Sequence, residues 1–110
     1  MGRPNLRIPQ ALIDAEPAIR RACERFGVRE LALFGSATSD RFNASHSDVD
    51  FLVRFRDMPP SAKADAYFGL LASLEDALAR RVDLVEADAI TNPYFKSSVE
   101  ASRVAFYAAA

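Results

Sequence analysis

From Asp48 to Phe55 the side chains alternate with a period of two, a pattern that an extended strand sorts onto separate faces. Val49, Phe51, Val53 and Phe55 share one face, which predicts core. Asp48, Asp50, Leu52 and Arg54 share the other, which predicts a site. Carboxylates two residues apart on a strand stand roughly 6.6 Å apart along the backbone and point the same way.

The flanking segments give this strand its surroundings. Ile19, Ala22, Cys23 and Phe26 recur at helical spacing, with Pro17 in the first turn and Gly27 at the stop, and a helical turn is expected near Gln10 to Asp14. Glu30 to Phe34 reads as a short buried strand ending at Gly35-Ser36. After the Pro59-Pro60 break, Ser61 is placed to cap a long helix with Ala64, Phe68, Leu71, Leu74 and Leu78 on its apolar face. Arg81 to Val85 predicts a third strand, Asn92-Pro93 opens a helix to about Ala101, and Val104 to Tyr107 predicts a last strand. The expected order is α-β-β-α-β-α-β, an α/β (α+β) fold with a mixed sheet flanked by helices.

A long helix between the second and third strands implies a parallel crossover, which sets Asp83 beside the start of the second strand. Neighbouring strands are about 4.8 Å apart, so Asp48, Asp50 and Asp83 are expected to converge. Ionised carboxylates that close repel one another, and the natural neutraliser is a hard divalent cation. Magnesium fits best, because it accepts a few carboxylates together with waters and substrate phosphate oxygens. The short connection from Gly35-Ser36 to Asp48 makes the first two strands antiparallel and brings Ser36 near the acids. Glycine lets a phosphate approach the backbone, and a helix starting at Ser36 would aim N–H groups at the terminal phosphates of a nucleoside triphosphate.

Composition narrows the substrate. With 110 residues, 50% of them hydrophobic, the chain predicts one domain, residues 1–110, with its own core. Its 14 Lys and Arg against 15 Asp and Glu leave no basic surplus for gripping long nucleic acid. A nucleotide needs only a local site. The lone Cys23 offers no disulfide or Cys-based zinc site within the chain, and no stretch approaches about 18 apolar residues. The N-terminus carries no apolar signal core, so the expectation is a cytoplasmic protein with no membrane association.

Taken together, Phe34-Gly35-Ser36, Ser47-Asp48-Val49-Asp50-Phe51-Leu52-Val53 and Val82-Asp83-Leu84-Val85 resemble the signature of the minimal nucleotidyltransferases of the polymerase-beta superfamily. The resemblance runs from about Ile19 to Tyr107, and the chain resembles the bacterial branch whose members act as antitoxins beside HEPN toxins. It implies a polymerase-beta-type fold and metal-dependent transfer of a nucleoside monophosphate, often AMP from ATP, to a hydroxyl. Asp48 and Asp50 would hold two magnesium ions and Asp83 the one that activates the nucleophile. Many relatives place an Arg a few residues after the Gly-Ser pair; here Ala37-Thr38-Ser39-Asp40 intervene, and Arg41 is the residue that would reach the triphosphate from a shifted position.

Other residues carry plainer readings. His46 has no partner His and reads as a solvated loop residue, and Cys23 on the helix stripe reads as an inert buried thiol. The arginines at 54, 56, 80 and 81 read as solvated faces, and Tyr94-Phe95 and Phe106-Tyr107 as core and interface. Two functions remain open at this stage. One is an enzyme that moves AMP onto a protein hydroxyl of a HEPN-type partner, in a homo- or hetero-oligomer. The other is a binding antitoxin that neutralises its partner by contact.

Overall fold

In the computed structural model, which describes residues 9–35 and 48–109, α1 (Gln10–Asp14) and α2 (Glu16–Arg25) lead into β1 (Val28–Phe34). Then come β2 (Val49–Phe55), α3 (Pro60–Leu78), β3 (Val82–Glu86), a 3₁₀ turn (Ala87–Ala89), α4 (Pro93–Ser102) and β4 (Val104–Ala108). Pro17 lies in the first turn of α2, and Gly27 just past its end has φ +69°, the left-handed conformation that closes a helix without a Cβ penalty. The Asn92 side chain accepts hydrogen bonds from the N–H groups of Tyr94 (2.8 Å) and Phe95 (3.1 Å), which caps α4 ahead of Pro93.

The four strands form one sheet in the order β3-β2-β1-β4. β1 runs antiparallel to β2 and to β4, whereas β2 and β3 run parallel, as the crossover through α3 requires. The register sets Phe34 opposite Asp50, and Asp50 beside Asp83. Val49, Phe51 and Val53 are fully buried against a core that includes Ile19, Cys23, Leu70 and Leu74. Burial pushes the Cys23 thiol up to about 12, consistent with an inert core residue.

Several local expectations are corrected. Ser61 does not cap α3: the cap position is Pro59, with no side-chain bond, and Pro60 opens the helix through its fixed φ. The buried stripe of α3 is Ala66, Leu70, Leu74 and Leu78, so Ala64 and Phe68 face outward, Phe68 with 67% of its surface exposed. Both stripes satisfy helical spacing, and they part company in the first half of the helix. There Gly69 allows the ring of Phe26 to press against α3: a Cβ on Gly69 would lie 2.4 Å from Phe26 Cε1.

The polar-looking face of β2 is also only partly polar. Leu52 is buried with Ala32, Phe34 and Val99 in a second cluster, because α4 covers that side of the sheet. The acids at one end of this face and Arg54 at the other stay partly exposed. Arg54, further along the same face, pairs with Glu30 at 3.5 Å and with Asp88.

The outer edge of β3 is closed by α3. The Val82 N–H donates to Glu75 Oε2 at 3.1 Å, and the Tyr67 hydroxyl donates to the Leu84 carbonyl. Side chains thereby occupy two of the outward-facing groups along this edge.

Candidate active site

Strand pairing builds the acidic centre. Asp50 is the second residue of β2 and Asp83 the second residue of β3, and their parallel register brings the two carboxyl groups within hydrogen-bonding reach. Asp48 precedes β2 by one residue and adds a Coulombic push on Asp50. Burial, then the hydrogen bond to Asp83, then the charges of Asp83 and Asp48 push the Asp50 carboxyl up to about 6. Among the described residues no three His, Cys, Asp or Glu side chains stand in a ready-made cation cluster. The formed unit is the Asp50–Asp83 pair, with Asp48 within electrostatic reach.

The donor set fits magnesium. Among the described residues none of the three acids is ion-paired with a Lys or Arg, so their mutual repulsion lacks a protein counter-charge. One or two carboxylates completed by waters and phosphate oxygens is the coordination magnesium favours. Asp50 and Asp83 would hold the ion, with Asp48 drawn in by its charge.

The raised affinity of Asp50 for a proton sets a direction for stability. A carboxyl whose folded-state pKa stands at about 6 against an ordinary 3.8 stabilises the fold below about 3.8 and loses that contribution as pH rises through 6. Metal-free protein is therefore expected to melt at lower temperature at pH 7 than at pH 5, by roughly 1 kcal/mol of stability once solvent screening at this half-buried site is included. Asp50→Asn should flatten that step, and parallel thermal melts of both proteins in chelator check it.

Gly35 holds the turn after β1 against this pair. Its φ is +71°, and a Cβ there would lie 2.4 Å from Asp50 Oδ2. Its N–H donates to Ser102 Oγ at 3.1 Å, tying the turn to the end of α4. That bond engages the Gly35 amide with protein, so Gly35 serves the site through its missing side chain. Ser36 and Arg41, the other residues expected at the triphosphate, lie outside the described residues, as does His46.

A cleft of about 470 Å³ opens over the pair, with Phe34 and Phe95 on one side and Tyr67 and Leu71 on the other. Its size, and its aromatic and aliphatic side chains around a few convergent acids, are those of a small-molecule site. Tyr67 was missed by sequence reasoning. Its hydroxyl is held against β3, and its pKa is raised by burial and by the charges of Asp83 and Glu86. The signal was a phenol on the flank of the crossover helix, where a helix meets the edge of its strand.

Comparisons with known proteins place the chain in a family. The model of the nucleotidyltransferase domain family matches residues 17–106. A Methanocaldococcus jannaschii protein named for protein adenylyltransferase activity is 40% identical over 77 residues, covering 70% of this chain and 74% of that one. The protein adenylyltransferase MntA of Thermococcus cleftensis is 45% identical over 62 residues, 56% of this chain and 59% of its own. Among solved structures, one described as a minimal nucleotidyltransferase superposes with a TM-score of 0.60 at 26% identity, covering 86% of this chain and 92% of that one. The MNT antitoxin in complex with the tri-AMPylated HEPN toxin of Shewanella oneidensis superposes with a TM-score of 0.61 at 21% identity, over 88% of this chain and 72% of that one. The Asp48-x-Asp50 strand, the parallel strand carrying Asp83 and the family match over most of the chain lead to one conclusion: the protein belongs to the nucleotidyltransferase domain family, as a minimal nucleotidyltransferase.

Proposed function

We propose that this chain transfers AMP from ATP to a hydroxyl on a HEPN-type protein partner, and that it acts as the antitoxin of that pair in the cytoplasm. The observation that carries the reading is the Asp50–Asp83 pair at the open end of the sheet, beneath a cleft of nucleotide size. Relatives named protein adenylyltransferase and a fold neighbour seen with an AMPylated HEPN toxin support the choice of AMP and of a protein acceptor. Residues 1–110 act as a single domain in this reading. No helix among the described residues is long and apolar enough to cross a membrane.

The reaction balances simply. The acceptor oxygen forms a bond to the α-phosphorus of ATP, the bond from that phosphorus to the pyrophosphate oxygen breaks, and the hydroxyl proton leaves to solvent. Magnesium bound at the acids would neutralise the phosphate oxygens and favour the alkoxide-like form of the acceptor hydroxyl. Asp50 and Asp83 act by remaining ionised and fixed by neighbouring strands. Gly35 lets its turn lie against Asp50 without a side chain between them, and Ser36 and Arg41 meet the terminal phosphates. Phe34 and Phe95 narrow the cleft and limit water as an alternative acceptor.

Calorimetric titration tests the nucleotide half of this function. ATP is expected to bind in magnesium and to lose roughly a hundredfold in affinity in chelator or in the Asp50→Asn, Asp83→Asn double variant. Equal affinity in all three samples would remove the acids from the site.

A further inference from the structure

One wall of the cleft over Asp50 and Asp83 is aromatic: Phe34 and Phe95 meet there with ring centroids 6.0 Å apart and ring planes at 78°. Phe34 is the buried member of the pair at 7% exposure, whereas Phe95 keeps 40% of its surface open. We propose that Phe95 is the platform on which the base of the bound nucleotide stacks. The assignment presupposes the proposed nucleotide, bound with its phosphates at the acids, and names what holds the other end of it.

The phosphate end limits where the base can go. With the α-phosphorus at the metal held by Asp50 and Asp83, a single ribose ties the base to that point. The base therefore stays within one sugar of the acids, in the cleft that Phe95 also lines. Register sets Phe34 opposite Asp50 and Asp83 beside it, so the acids and Phe34 share the face of the sheet that α4 covers. Phe95 reaches this face from the first turn of α4.

The ring is both open and held in place. An edge-to-face pair engages at most one face of each ring, so Phe95 keeps a face outside the pair for an aromatic base. Its N–H donates to Asn92 Oδ1 at 3.1 Å, Pro93 restricts the turn before it, and Val99 one turn on is buried in the second cluster. A platform already fixed loses little freedom when a base settles on it. The competing aromatic, Tyr67 on the other wall, has its hydroxyl committed to the Leu84 carbonyl and its ring packed edge-on to Phe68 at 5.2 Å. Among the described residues, the polar side chains lining the cleft are the two acids and that hydroxyl, so stacking is the interaction left for the base.

Phe95→Trp tests the platform directly, because the chain contains no tryptophan and the position lies outside the buried core. The probes are a non-hydrolysable ATP analogue and inorganic tripolyphosphate, each with magnesium. The expected result is saturable quenching of the indole emission by the ATP analogue and none by tripolyphosphate. In calorimetry the analogue should lose roughly tenfold in affinity in Phe95→Ala, and most of that in Phe95→Leu, which keeps hydrocarbon bulk without a flat ring. Tripolyphosphate should bind wild type and both variants alike. An analogue that binds Phe95→Ala as tightly as wild type, or leaves the indole unquenched, overturns the platform while the nucleotide site at the acids stands. Equal losses for the analogue and tripolyphosphate also overturn it, because Phe95 would then act on the phosphate end. If neither probe binds wild type in magnesium, the nucleotide site itself falls, and the platform with it.

Discussion

Asp50→Asn is expected to abolish AMP transfer while leaving both the fold and the complex with a HEPN partner intact. Asp50 lies beside Asp83 in the parallel register and within the field of Asp48, so its charge is the one both neighbours act upon. An Asn keeps the volume and can still bond Asp83, but removes the negative charge a magnesium ion needs. Loss of that stabilisation should reduce the transfer rate by at least about 10³-fold, with the partner still co-purifying. Binding and catalysis separate cleanly in this variant. A protein that protects cells as well as wild type with Asn at this position would be an antitoxin acting by contact, wearing a transferase fold.

The second large effect is expected at a residue with no functional group. Gly35→Ala should lower transfer by about 10²-fold or more, because the new methyl would lie 2.4 Å from Asp50 Oδ2 and the backbone is held at φ +71°. The turn must either move away from the acids or push Asp50 out of register with Asp83. Stability should fall by about 1–2 kcal/mol from the left-handed conformation alone. Ser102→Ala is the informative companion. It deletes the 3.1 Å bond to the Gly35 N–H while leaving the space beside Asp50 untouched, so it should cost stability with a much smaller loss of rate. Steady-state kinetics and thermal melts on the two variants distinguish crowding of the acids from loosening of the turn.

The framework was legible in the sequence because it rests on periodicity and spacing. The alternation from Asp48 to Phe55 fixed which β2 residues face the α2 and α3 core, and a crossover of helix length required β3 to run parallel and set Asp83 beside Asp50. Gly27 and Asn92 marked helix ends by local chemistry alone. Other features depended on partners distant in the chain. The phase of α3 was decided by the fit of Phe26 against Gly69, which no spacing rule distinguishes from the alternative stripe. Leu52 was grouped with the site face but is covered by Val99 of α4. Tyr67 enters the site only because α3 leans on the edge of β3, and the bond from Gly35 to Ser102 spans most of the chain. Convergence of Asp48 onto the other two acids is the element that a bound cation would complete.

The most direct test is intact-mass measurement of the proposed HEPN-type partner after incubation with the wild-type protein, ATP and magnesium. The predicted result is a mass increase of one AMP per modified hydroxyl, abolished by chelator and by Asp50→Asn. An unmodified partner that nonetheless remains bound and inactive beside the wild-type protein would contradict transfer as its function.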